Sequence, residues 1–225
     1  MVAALECERL SKTYGTGALA VPVLCDVSLC LRRGESTVLL GPSGSGKTTL
    51  LSILGCMLSP TAGELRIHGH AVSHRSPGQL TRLRRSQIGF VFQHGHLLPF
   101  LTLEENLAVT AKNCGLSPRE SADRIEILVT RLGIQALRQR KPGQVSGGER
   151  QRTAIGRALV HRPSIILADE PTASLDWENG QAVMRLLTRH AGAEGAALVT
   201  VTHDTRLVPL FDRVLYLDSG RIRTP

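Results

Sequence analysis

Four stretches of this sequence hold residues whose types and spacing suit phosphate chemistry. "GPSGSGKTT", residues 41–49, fits the phosphate-loop pattern G-x-x-x-x-G-K-[ST]. Gly41, Gly44 and Gly46 let the backbone curl, with Pro42, Ser43 and Ser45 between them, so that N–H groups face an anion. Lys47 adds a point charge toward β- and γ-phosphate oxygens, Thr48 offers a hydroxyl to Mg²⁺, and Thr49 carries the chain into a helix. "SIILADEP" places Asp169 at the end of an apolar strand, where a carboxylate can hold Mg²⁺ partly through its water shell. Glu170, the next residue, is free to orient and deprotonate an attacking water. His203 follows the strand "ALVTV" and reaches the same edge, within range of a γ-phosphate or that water. The fourth stretch, "VSGGERQRTAIGRAL" from 145, sets a glycine pair at a helix start, whose bare N–H groups also seek an anion. It lies a hundred residues beyond the first loop.

The elements around these motifs alternate. Strands are expected at 5–10, at 23–33 (Val27, Leu29 and Leu31 alternate) and at 36–40. Leu50, Leu51, Ile53, Leu54 and Leu58 recur at helical spacing, which predicts a buried helix over 47–58. Further strands are expected at 64–68 and 87–92. From about 97 to 161 the texture becomes helical, with a capping box at Thr102 and Glu105. A second box pairs Ser117 with Glu120, with Pro118 at the first helical position and Gly133 as the stop. Strands return at 164–169, 196–202 and "RVLYLD", with "WENGQAVMRLLTRH" as a crossover helix. Apolar strands alternating with helices imply a parallel sheet covered on both faces, with a helical segment inserted at about 94–160. The 225 residues are expected to form one domain.

Composition narrows the class. The formal charge of +8 invites polyanions, while the 3% aromatic content argues against a base-stacking surface. Five cysteines in no regular spacing, behind an N-terminus without a signal-length apolar run, read as reduced cytosolic thiols. No stretch approaches the roughly 20 apolar residues that span a bilayer. "RLRR" at 82–85 reads as a solvated arm, and nucleic acid is not an expected partner. His68, His70 and His74, and the pair His94 and His96, are loop-borne and lack a cysteine or carboxylate at ligand spacing.

Together these residues resemble the ATP-binding-cassette (ABC) ATPases over essentially the whole chain. The resemblance implies a P-loop α/β fold of ABC type: a mostly parallel core sheet, an antiparallel β subdomain and an inserted helical subdomain. It matches Tyr14 in "SKTYGTG" to the adenine-stacking aromatic and Gln93 to the glutamine joining the metal site to the helical subdomain. "VSGGE" matches the signature, with Ser146, Gly147, Gly148 and Glu149 acting on the ATP of a partner cassette. "ASLD", with Ser174, Leu175 and Asp176, matches the dimer-contacting loop, and His203 the switch histidine. ATP and Mg²⁺ are the implied cofactors, with Thr48, Gln93 and Asp169 at the metal. A homodimer or paired homologous cassette is implied, and so is an integral membrane permease at the cytoplasmic face. The signature departs from the usual pattern at Val145, where leucine is commoner, and at Glu149, where glutamine is. The second is expected to alter electrostatics at the dimer interface.

Within the family, "IGFVFQHGHLLPFLTLEEN" resembles the subgroup serving lipoprotein release and macrolide or peptide export. The chain stops soon after its last strand, so no carboxy-terminal regulatory domain is expected. Leu97, Leu98, Phe100 and Leu101 bunch around Pro99, and the resemblance makes them a groove for a short permease helix. A non-transport cassette acting on nucleic acid or ribosomes is the alternative. Such proteins generally carry paired cassettes or a long coiled coil, and neither is present here.

Overall fold

The computed structural model describes residues 3–73 and 75–223. Two long strands open it, β1 (Ala3–Tyr14) and β2 (Val21–Arg32), paired antiparallel. β4 (Ala62–Ile67) pairs with the other edge of β1, and the short β5 (His70–Ala71) follows it, in the order β2-β1-β4-β5. Between them in the chain come β3 (Ser36–Leu40) and α1 (Lys47–Leu54). The helix stops four residues before the expected 58. Cys56 takes a left-handed φ of 56°, and a side chain on Gly55 would run into the Phe90 ring.

The second sheet has the order β10-β9-β3-β8-β7-β6, with β6 at Ile88–Phe92, β7 at Ile165–Asp169, β8 at Ala197–Val201, β9 at Arg213–Asp218 and β10 at Arg221–Arg223. Its pairings are parallel except for the β9–β10 hairpin at the edge. Both faces of β7 are buried, as its unbroken apolar run requires. Ile165 and Leu167 join the core under α1 and the antiparallel sheet, while Ile166 and Ala168 join the core under the helices.

Three helices lie in the chain between β6 and β7: α3 (Leu103–Asn113), α4 (Pro118–Arg131) and α5 (Gly147–Leu159). Both expected capping boxes form, Thr102 with Glu105 and Ser117 with Glu120. Leu107, Ile125, Leu128 and Ile155 share one core with Ile166, Leu198 and residues of α6 (Trp177–Glu194). The helical segment is therefore packed onto the sheet. Arg124, 4% exposed, ties α4 to Glu194 of α6 at 3.3 Å.

None of the "RLRR" segment is buried, in keeping with a solvated stretch, but it is helical and not a free arm. It lies in α2 (Pro77–Gln87), capped by Ser76 and Gln79, and Arg84 donates to the Cys56 carbonyl at 2.7 Å. No described helix is long and apolar enough to cross a membrane.

Candidate nucleotide site

Sheet register brings the motifs to one edge. Val201 of β8 stands opposite both Leu39 of β3 and Asp169 of β7, and Phe92 of β6 stands opposite Asp169. The segments leaving these strands at 41, 93, 170 and 202 therefore start level with one another, at the carboxyl edge where open α/β sheets collect ligands.

The loop at 41–46 ends on Gly46, whose φ of 101° belongs to the left-handed region and whose missing side chain makes room for Val23 and Leu24. Lys47 folds back over the loop, its Nζ donating to the carbonyls of Gly41 and Pro42 at 2.7 Å each. Ser43, Gly44, Lys47, Thr48, Thr49 and the two carboxylates Asp169 and Glu170 line one cleft of about 410 Å³, with Val23 on its wall. Ser45 is turned inward and is 5% exposed. Tyr14 ends β1 outside this cleft, 43% exposed, with the Lys12 ammonium 5.2 Å from its ring centre.

The Asp169 carboxyl is half-buried, and that burial raises it above the usual carboxylate range. The neighbouring Thr48 hydroxyl and the Lys47 charge pull the other way. Glu170 takes a left-handed φ of 47°, a costly conformation for a branched-off carboxylate side chain, held by its N–H donating to the Val201 carbonyl at 2.9 Å. Its Oε1 lies 2.9 Å from His203 Nδ1, and its Oε2 is buried without a partner among the described residues. His203 itself borders a second hollow beside Gly41 and Pro42.

Other residues singled out in the sequence lie apart from this cleft. The signature serine caps α5: Ser146 Oγ accepts from the Glu149 N–H, and Glu149 Oε2 accepts from the Ser146 N–H at 2.7 Å. Those bonds hold the Glu149 carboxyl below its usual range. Glutamate and glutamine both close such a box, which gives the departure at 149 a local role. Gly147 and Gly148 face the 174–179 segment of their own chain, near the Ser174 carbonyl and the Asn179 side chain. Asp176 caps α6 by accepting from the Asn179 N–H at 2.9 Å. Ser174 Oγ donates to the Gln93 carbonyl at 3.5 Å, and Leu175 packs against the helical core.

Sequence reasoning missed several contacts that tie these loops together. The Arg206 guanidinium sits 4.4 Å above the Trp177 ring, joining the turn after His203 to the start of α6. Gln151 and Arg157 of α5 grip the chain that leaves β6. A tertiary contact of this kind leaves no local signal. Among the described residues, no group of three or more His, Cys, Asp or Glu is placed to hold a metal ion. His68 bonds Ser164 at 2.8 Å and Gln87 at 3.2 Å, and the His94 and His96 rings stand 6.3 Å apart; His74 is outside the described residues.

A phosphate loop between a strand and a helix, with paired carboxylates at the same edge of a parallel sheet, defines a P-loop nucleotide-binding protein. The ABC transporter family profile matches residues 24–173. The chain is 39% identical over 219 residues to the putative hemin import ATP-binding protein HrtA of Staphylococcus haemolyticus, spanning 97% of this chain and 99% of that one. It is 41% identical over 218 residues to the macrolide export ATP-binding/permease protein MacB of Marinobacter nauticus, covering 97% of this chain but 34% of that protein. The chain thus spans about a third of the length of its MacB relatives. Two solved structures share the fold. The cassette MJ0796, dimeric and bound to ADP and Pi in a post-hydrolysis state, superposes with a TM-score of 0.88 at 36% identity over 98% of both chains. CbiO1 of Clostridium perfringens, part of the transporter complex cbiONQ, gives 0.90 at 29% identity over 99% of this chain and 88% of that one. The chain belongs to the ABC transporter family, as its ATPase cassette.

Proposed function

We propose that two cassettes pack head to tail with ATP between them, and that closing and reopening of the pair drives an integral membrane permease. One observation carries this reading. The start of α5 carries the signature, with Ser146 as its N-cap and the two glycines following, yet none of these residues lines its own chain's cleft. A second copy turned head to tail gives it a phosphate to hold.

Each residue then has a task. Tyr14 stacks the adenine. The 41–49 loop wraps the phosphates, and Lys47 exchanges its loop carbonyls for β- and γ-oxygens. Thr48 and Asp169 line the same cleft, offer only oxygen donors and suit Mg²⁺, which would neutralise phosphate charge there; Gln93 would approach it from β6. Glu170 takes the proton of the attacking water as its oxygen bonds to the γ-phosphorus. The ADP oxygen departs, and His203 positions the carboxylate and the phosphate. Ser146, Gly147, Gly148 and Glu149 belong to the partner's site, and Ser174, Leu175 and Asp176 to the contact between cassettes.

The permease is supported by the MacB relatives, whose name joins an ATP-binding part to a permease. We assign the cassette to the cytoplasmic face of the cell membrane, serving export or release of a lipid, lipoprotein, peptide or drug-like cargo. In this account Lys47→Ala binds fluorescent nucleotide at least about 10-fold more weakly and releases no phosphate from ATP, because the triphosphate loses its nearest cation. Wild-type turnover in that variant would refute the site.

A further inference from the structure

Arg157 is a half-buried cation with an unusual set of partners. Burial pulls its guanidinium below the usual arginine range, and among the described residues no carboxylate offsets that loss. Its two amino groups donate instead to consecutive backbone carbonyls, those of Gly95 (at 2.7 Å) and His96. Both residues are left-handed, at φ 67° and 46°, which turns their carbonyls to one side. Gly95 could not carry a side chain without strain, and a Cβ there would come within 3.2 Å of Ala154 on α5. Six residues earlier on the same helix, Gln151, 2% exposed, donates to the Phe92 carbonyl at 3.1 Å.

Gln151, Ala154 and Arg157 thus form a stripe on α5 that holds the chain at 92–96, on both sides of Gln93. An apolar residue would fill the space at 157 without the desolvation cost of a guanidinium. What arginine adds is a planar fork that fixes two acceptors at once. The other end of the same rigid helix, about 14 Å away, is the signature that meets the partner's phosphate.

We infer that Arg157 is a positioning residue for Gln93: it clamps the turn after β6 to α5, so that Gln93 and the signature move together. The inference rests on the proposed function. When Gln93 is drawn toward the metal and γ-phosphate, the clamp turns α5 with it. Partner engagement at the signature is carried back to Gln93 by the same two hydrogen bonds. Arg157 does not line the nucleotide cleft, so its loss is felt in the chemical step and not in the binding of ATP to one cassette.

The test is a double-mutant cycle on the full chain, with Gln93→Ala, Arg157→Met and the pair. Arg157→Met keeps the stem and removes the fork. It should retain ATP affinity and KM within about twofold while kcat falls about 10-fold or more. Amide exchange over 93–101 should quicken while that of 41–49 stays unchanged. In the pair, Arg157→Met should lower kcat less than about twofold beyond Gln93→Ala alone, because both changes break one device. Multiplying losses, or full kcat in a folded Arg157→Met, would overturn the inference. Should Arg157→Met fail to fold, Arg157→Lys, which keeps the charge but not the fork, takes its place in the cycle with the same expectations. Full activity of Gln93→Ala alone would instead strike at the proposed role of Gln93, a separate failure.

Discussion

His203 Nδ1 lies 2.9 Å from Glu170 Oε1, joining two residues 33 positions apart in sequence. The His203 side chain is 73% exposed, so one ring nitrogen is tied to the carboxylate while most of the ring stays open to solvent. The histidine is thereby oriented by the carboxylate we propose as the base for the attacking water. His203→Ala should lower kcat about 10²-fold and leave the affinity of one cassette for ATP within about twofold, as read by phosphate release and nucleotide titration. An equal loss in both would make His203 a binding residue.

The apolar cluster around Pro99 can be tested in the same direct way. Phe100 is 66% exposed and Leu98 is 38% exposed, although the Leu98 backbone is anchored through Asn106 at 2.7 Å. The segment is therefore an ordered apolar surface and not a core edge. Leu98→Ser and Phe100→Ser, made singly, should shift thermal stability by less than about 1 kcal/mol and preserve ATP binding. They should lose co-purification with the permease. Unchanged co-purification would place the contact elsewhere.

The sequence revealed the site's parts more fully than their assembly. The phosphate loop and the capping boxes at Thr102 and Ser117 are local backbone devices, so a few residues specify each of them. The strands at 36–40 and 213–218 fall where their apolar runs placed them. α2 was missed because none of its residues is buried and no apolar stripe marks it. α1 ends at Leu54, and the Gly55 backbone beyond it lies against Phe90 of β6, a neighbour that no window around 47–58 contains. The pairing of Glu170 with His203 and the grip of Arg157 depend on sheet register and helix packing, which no window of sequence contains.

Burial at the junction of α4 and α6 predicts an acid-sensitive fold. His190, 7% exposed, has its imidazole pushed down from 6.5 to about 4. Burial is the main cause; Arg124 and Arg131 add to it and Glu194 opposes it. The unfolded chain takes up a proton below about 6.5 while the folded one does not. Stability contributed by the neutral ring is therefore complete above that pH and declines as pH falls toward 4. Between about pH 7.5 and pH 5 this amounts to roughly 2 kcal/mol. Urea unfolding at the two pH values should show His190→Leu losing that much less than the wild type. Equal losses would mean that the ring is solvated.

The shared site is tested most directly by Glu170→Gln. The amide keeps the shape but cannot take the water's proton, so ATP stays bound and the closed pair persists. With ATP and Mg²⁺, size-exclusion with light scattering should show Glu170→Gln as a dimer and the wild type mostly as a monomer. Ser146→Arg added to the same chain should return it to a monomer that still binds ATP, because the lesion lies in the site its partner uses. A Glu170→Gln protein that hydrolyses ATP at the wild-type rate, or whose ATP-dependent dimer survives Ser146→Arg, would contradict the account.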